Sequence, residues 1–239
     1  VEHELRAIID TELASAGFRT EAARDVGRVG LGNYAAGALL MPYVRFRQAA
    51  QDLRHDVERL QSVFHTSFEQ VCHRLSTLQR PEAPGVPFFF IRVDRAGNIS
   101  KRQSATDFHF SRTGGTCPLW NVYEAFSQPD KVLTPLARMP DGRTYLWIAR
   151  RIRSPLGGYG TPEREFAVAL GCDRRHADKL VYSRGMELDD AGNATPIGPG
   201  CKVWERTACA QRAFPALGRT LRIGENERPR EPYASEAPA

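Results

Sequence analysis

No run of this chain is apolar for long enough to cross a bilayer, and its N-terminus carries neither a basic leader nor a signal-peptide core. A P-loop, a dinucleotide fingerprint and a Gly-x-Ser-x-Gly nucleophile elbow are all missing. The opening His3-Glu4 starts like the His-Glu-x-x-His zinc motif, yet Ala7 stands where the second histidine belongs. Catalysis is therefore not expected. Cysteine is scarce, with five residues spread over 239, an odd number in a chain large enough to build a core without staples. A disulfide framework is thereby disfavoured, and a reducing cytoplasm is the expected location. No internal repeat is visible.

What is present is ordinary for a globular protein: 41% hydrophobic and 26% charged residues, enough for one large domain or two small ones. The start at Val1-Glu-His-Glu, already in helical pattern, reads as a fragment of a longer chain. The net charge of +5 is modest and rests mainly on arginine, whose planar fork suits phosphate or carboxylate. A phosphorylated ligand is compatible with that balance, whereas DNA binding by this chain alone is not demanded.

Residues up to about Gln79 read as three or four helices, with Leu5, Ile8, Ile9 and Leu13 on one face and Val57, Leu60, Phe64, Phe68, Val71 and Leu75 on another. Gly30 to Gly32 and Pro42 break them, and the Pro-rich stretch 81–87 ends them. The period then changes. Phe88 to Val93 predicts a buried strand, Asp94 to Asn98 a turn, and Ile99 to Arg102 its hairpin partner. A helix is expected over Leu119 to Phe126, and strands near Leu136 to Met139, Tyr145 to Arg151 and Glu165 to Leu170. The fold class is α+β: a helical segment over 1–80, a mixed-sheet domain over 81–170, an irregular metal lobe over 171–226 and a mobile tail over 227–239.

Three cysteines crowd toward the C-terminus. Cys172, Cys201 and Cys209 form a set of soft ligands, with Gly171 and Gly200 directly before two of them. Backbone amides beside such glycines can donate to sulfur. Trp204 stands where a Cys-x-x-Cys would place another thiolate, so a closed zinc site is incomplete. His176, four residues after Cys172, is the fallback fourth ligand, and zinc stays open beside an iron–sulfur cluster. Ordinary burial explains lone cysteines equally well; Cys72 and Cys117 are read that way.

A second candidate site is the stretch 101–116, which combines cationic forks, hydroxyls and aromatics. Lys101, Arg102, Ser104 and Arg112 would meet phosphates, and Phe108, Phe110 and Trp120 an apolar group. Arg45 and Phe46, after the helix-stopping Met41-Pro42, would line the same pocket. Arg150, Arg151 and Arg153 either serve phosphates or solvate a strand end. A solvated loop is the plainer reading of the whole stretch.

Several phrases in order resemble one bacterial family. They are 33–43 (NYAAGALLMPY), 67–75 (SFEQVCHRL), 85–94 (GVPFFFIRVD), 97–106 (GNISKRQSAT), 115–120 (GTCPLW) and the segment from Cys201 to Pro215. Together they resemble the C-terminal half of the short-chain fatty acyl-CoA regulators of methylcitrate-cycle type. The resemblance implies a GAF-like domain that takes short-chain acyl-CoA of the propionyl type. It also implies a 4Fe-4S cluster near the C-terminus, an upstream DNA-binding helix-turn-helix, homo-oligomerisation and control of propionate genes. The family pattern has Cys-x-x-Cys at the positions of Cys201 and Trp204, and this chain departs from it. The rival expectation is a zinc- or cluster-dependent hydrolase related to zinc peptidases, with Glu165 as its candidate acid; a purely structural dimerisation domain is a third.

Overall fold

The computed structural model describes residues 2–110, 116–154, 158–204, 206, 209, 211–224, 226 and 233–235. Five helices precede the sheet: α1 (Glu2–Ser15), α2 (Glu21–Leu40), α3 (Tyr43–Asp52), α4 (Val57–Phe64) and α5 (Phe68–Ser76). Their ends follow local chemistry. Thr20 caps α2 by accepting from the Ala23 amide, Asp56 caps α4, and Ser67 with Gln70 forms a reciprocal capping box on α5. Pro42 separates α2 from α3. The sequence's one long apolar run from Val57 to Leu75 is thus two helices, divided by His65 in the left-handed region.

The strands are β1 (Phe88–Val93), β2 (Ile99–Ser104), β3 (Leu136–Arg138), β4 (Thr144–Ser154), β5 (Arg164–Asp173) and β6 (Thr195–Pro196). Among the described residues they form one sheet in the order β2-β1-β5-β4-β3-β6. All pairings are antiparallel except β3 with β6, which makes the sheet mixed and the fold α+β.

Strand alternation divides the core in two. Phe88, Phe90, Leu146, Ile148, Leu170 and Cys172 face the helices and share a core with Phe46, Val57, Leu60, Val71 and Leu75. Phe89, Ile91, Trp147, Ala149 and Ala169 face the other way, onto Phe108, Trp120, Val122, Ile197 and Trp204. The second layer is strongly aromatic. Phe89 meets Trp147 at 4.7 Å and Phe108 at 4.5 Å between ring centroids. Such pairs contribute about 0.5–1.5 kcal/mol each beyond buried area. Gly171 makes room for them: a Cβ there would lie 2.2 Å from Phe89 Cζ.

The helix expected over Leu119 to Phe126 shrinks to α6 (Asn121–Glu124). Trp120 has no side-chain cap to offer; its indole nitrogen instead donates to the Gly198 carbonyl at 2.8 Å. After β5 the chain runs in short 3-10 turns, including Arg174–Lys179 and Cys201–Val203. Part of the tail expected over 227–239 contacts the preceding segment. There Ser235 bridges to Leu221 and the Ala234 carbonyl accepts from the Arg222 amide at 2.9 Å, while 227–232 and 236–239 lie outside the described residues.

Candidate functional site: a cationic groove and a thiol cluster

Between α2, α5 and the β2 side of the sheet run three adjoining cavities of about 680, 460 and 690 Å³. Gly30, Tyr34, His73, Thr77 and Gln103 line both the first and the second; Asn33, Glu69, Gln70 and Lys101 line both the second and the third. The result is one elongated groove. Ser104 lies at one end, Lys101 and Arg102 in the middle, and Arg92, Arg150 and Arg164 at the other. Alternation explains the last three: Arg92 and Arg150 fall on the helix-covered face two residues beyond Phe90 and Ile148, and Arg164 falls on it four residues before Val168. Arg151 and Arg153 also line the third cavity, and they are neutralised by Glu165 at 2.8 Å and Glu163 at 2.7 Å.

Glu69 organises the groove. One of its oxygens accepts from Lys101 Nζ at 2.6 Å and from Arg92 Nη1 at 3.0 Å. Burial alone would push its carboxyl up, but the two cations hold it below the usual carboxylate range. Arg150 pairs with Glu58 at 3.0 Å. Arg92 and Arg164 stack on the Phe166 ring, at 4.4 and 5.5 Å. Arg74, Arg92, Lys101, Arg102, Arg150, Arg151, Arg153 and Arg164 thus line the second and third cavities against Glu69 and Asp130, so positive charge predominates.

Other expected ligand residues lie elsewhere. Arg45 is exposed and sits over the Phe64 ring at 5.7 Å, while Phe46 is fully buried in the helix-side core. Phe108 and Trp120 are buried in the aromatic layer with Phe110 packed against them, so none of the three lines the groove. Their apolar rings found the sheet before any ligand. Arg112 lies outside the described residues. Composition missed Glu69, Arg92 and Arg164; the alternation of β1, continued past Phe90, was the signal for Arg92.

The cysteine set also needs correction. Cys172 points into the helix-side core between its cross-strand neighbours Phe88 and Leu146, on the opposite face from Cys117 and Cys209. Burial pushes its thiol up. His176 lines a separate cleft with Arg54 and Lys179. The cysteine that joins Cys201 and Cys209 is Cys117. Burial raises its thiol, the amides of Gly198 and Leu119 favour its thiolate, and the nearby sulfurs of Cys201 and Cys209 oppose it. Cys201 Sγ accepts from the Ala213 amide at 3.4 Å. Arg212, 4% exposed, donates to the carbonyls of Cys201, Trp204 and Arg206 and brings a buried positive charge beside the thiols. Three thiols, amide donors and a buried cation are donor chemistry suited to an iron–sulfur cluster. Among the described residues, however, no three His, Cys, Asp or Glu side chains stand as a ready ligand set for a single ion. Trp204 fills the space over Gly198, where a Cβ would lie 2.5 Å from its ring.

Glu165, the acid of the hydrolase reading, is bound by Arg95 and Arg151. The Arg95 hydrogen bond above all holds it below the usual range, as a carboxylate and not a proton donor.

Residues 77–233 match the model of the short-chain fatty acyl coenzyme A regulator, C-terminal, and residues 3–76 that of the IrrE N-terminal-like domain. The HTH-type transcriptional regulator RamB of Mycobacterium tuberculosis strain H37Rv is 53% identical over 232 residues, which is 96% of this chain and 49% of RamB. The HTH-type transcriptional regulator PrpR of the same strain is 56% identical over 213 residues, 89% of this chain and 44% of PrpR. A propionyl-CoA carboxylase regulator of Cereibacter sphaeroides is 50% identical over 226 residues, covering 95% and 49%. The chain therefore spans about half the length of the curated relatives it matches. A solved Mycobacterium tuberculosis transcriptional regulator superposes with a TM-score of 0.91 at 53% identity, over 96% of this chain and 70% of that one.

Proposed function

Since the chain belongs to the short-chain fatty acyl-CoA regulator family, we propose that it is the effector-sensing part of a longer cytoplasmic transcriptional regulator, with short-chain acyl-CoA as effector. The observation that carries this reading is the elongated groove. Lys101 and Arg102, expected to meet phosphates, lie in it beside Arg92, Arg150 and Arg164. Coenzyme A is a long ligand with phosphates at one end and a thioester at the other, and an elongated groove that combines cations with Tyr34 and His73 suits it. Three relatives are named as transcriptional regulators or as a propionyl-CoA carboxylase regulator, which supports a role in propionate gene control. DNA binding would belong to the half of those relatives that this chain does not span.

The ligand can alter DNA affinity only by binding two arrangements of the whole protein unequally. The groove offers such a lever. Its walls are α2 and α5 on one side and the sheet on the other, so an occupant bridges two layers.

Cys117, Cys201 and Cys209 would hold a 4Fe-4S cluster, with zinc as the alternative. The cluster would supply a covalent brace between the chain's irregular C-terminal segment and the aromatic layer. Arg212 and the Ala213 amide do the positioning, setting the Cys201 loop and donating toward its sulfur.

A thermal-shift series against propionyl-CoA, longer acyl-CoA thioesters and free CoA tests the sensing role. Saturable stabilisation that depends on the acyl chain is expected. A flat response across the series contradicts the proposal and favours the purely structural reading.

A further inference from the structure

At the opposite end of the sheet from the arginines of the groove, the start of β1 meets α3 and the turn Arg174–Lys179 around a cavity of about 640 Å³. Ala50, Leu78 and Val86 give it an apolar floor. Arg47, Arg54 and Lys179 stand at its rim with His55 and His176, and no lining residue is acidic.

Unlike Arg92, Lys101 and Arg150 of the groove, the rim cations are not ion-paired among the described residues. Arg47 Nε donates to the Pro84 carbonyl at 3.2 Å, and Arg54 Nη2 to the carbonyls of Asp178 and Leu180 at 2.8 and 3.3 Å. Carbonyls orient a guanidinium without cancelling its charge. None of the three cations forms an ion pair among the described residues. Asp173 and Asp178, which act electrostatically on His176, do not line the cavity.

The backbone is also set for this arrangement. Arg54 and His55 are consecutive non-glycine residues with φ of 49° and 60°, a region that L-residues avoid because Cβ crowds the next carbonyl. The His55 amide to Ala50 (2.7 Å) and the Val181 amide to the Arg54 carbonyl (2.8 Å) hold the pair there. Strain maintained at two neighbouring cavity residues, where glycine or asparagine would relieve it, is typical of a functional position. His55 is 5% exposed, and its ring lies 5.8 Å from that of Phe88.

We propose that this cleft is a second ligand site, independent of the groove, for the phosphate monoester of a compact molecule with an apolar group. The free guanidinium nitrogens and Lys179 converge on a dianion, the two imidazoles border it, and the apolar floor receives the ester substituent. Three uncancelled cations exceed what one carboxylate needs.

Phenyl phosphate is the probe, titrated calorimetrically into the full chain, with inorganic phosphate and benzoate as parallel arms. Saturable binding of phenyl phosphate is expected, tighter than inorganic phosphate because of the floor and tighter than benzoate because of the charge. Lys179→Ala and Arg47→Ala, two changes at the rim that leave the core intact, should each weaken it about tenfold or more. Arg59→Ala, an exposed cation on α4 outside the cleft, controls for net charge and should leave the affinity unchanged. Absent binding, binding insensitive to Lys179 and Arg47, or benzoate binding as tightly, overturns the proposal. Displacement of phenyl phosphate by a CoA thioester overturns the independence of the two sites.

Discussion

Arg212 donates through Nη1 to the Cys201 carbonyl at 2.8 Å from a side chain that is almost wholly buried. Its Nη2 takes the Trp204 carbonyl at 2.9 Å, so one fork fixes the loop that carries two of the three clustered cysteines. Arg212→Ala would strand these carbonyls. A loss of about 1.5–3 kcal/mol in urea unfolding is expected, the range for hydrogen bonds to a charged group. Arg212→Lys should recover only part of it, since an ammonium cannot span both acceptors.

Gly171 faces a ring that cannot retreat. Phe89 is hemmed by Phe108, Tyr145 and Trp147, and a Cβ at 171 would meet it at 2.2 Å. Gly171→Ala should destabilise by about 1–3 kcal/mol, the cost of overpacking, measured by denaturant midpoint. A neutral effect would show that the aromatic layer is looser than described.

Burial, opposed by the Lys179 carbonyl, holds the His55 imidazole below its ordinary value of 6.5. The unfolded chain therefore binds this proton more readily than the folded one. No penalty arises well above pH 6.5; it grows as pH falls through 6.5 toward the lower folded value. His73 and His176 are shifted the same way and add to the slope. Stability measured from pH 7.5 to 5 should fall, and His55→Gln should flatten the fall. An unchanged slope would remove His55 as a contributor.

The two faces of the sheet make the cysteines distinguishable. Cys117→Ser should abolish bound iron and sulfide in anaerobically purified protein, whereas Cys172→Ser should retain both. Equal losses would return Cys172 to the ligand set.

The alternating strands and the helical stripes were legible because burial imposes their period on the chain; β1 and β4 sit where Phe88 to Val93 and Tyr145 to Arg151 placed them. Lys101 and Arg102 lie in the hairpin strand expected from Ile99 to Arg102. Cysteine spacing carried less. It says which residues are near in the chain, not which side of a sheet they face, so Cys172 was grouped with Cys201 and Cys117 was left out. Phe108 and Trp120 misled similarly. An aromatic in an irregular segment reads alike whether it floors a pocket or, as here, fills a core. Arg54 and His55 gave no signal, because a left-handed pair without glycine has no compositional mark.

The central claim is that short-chain acyl-CoA lies along the groove, with its phosphates at the arginine end. Calorimetric titration of propionyl-CoA into wild type, Arg102→Ala and Arg150→Ala tests it most directly. Each substitution is predicted to weaken binding by about 1–3 kcal/mol, the scale of a charge-assisted contact, with folding intact. Unchanged affinity in both variants would contradict the account.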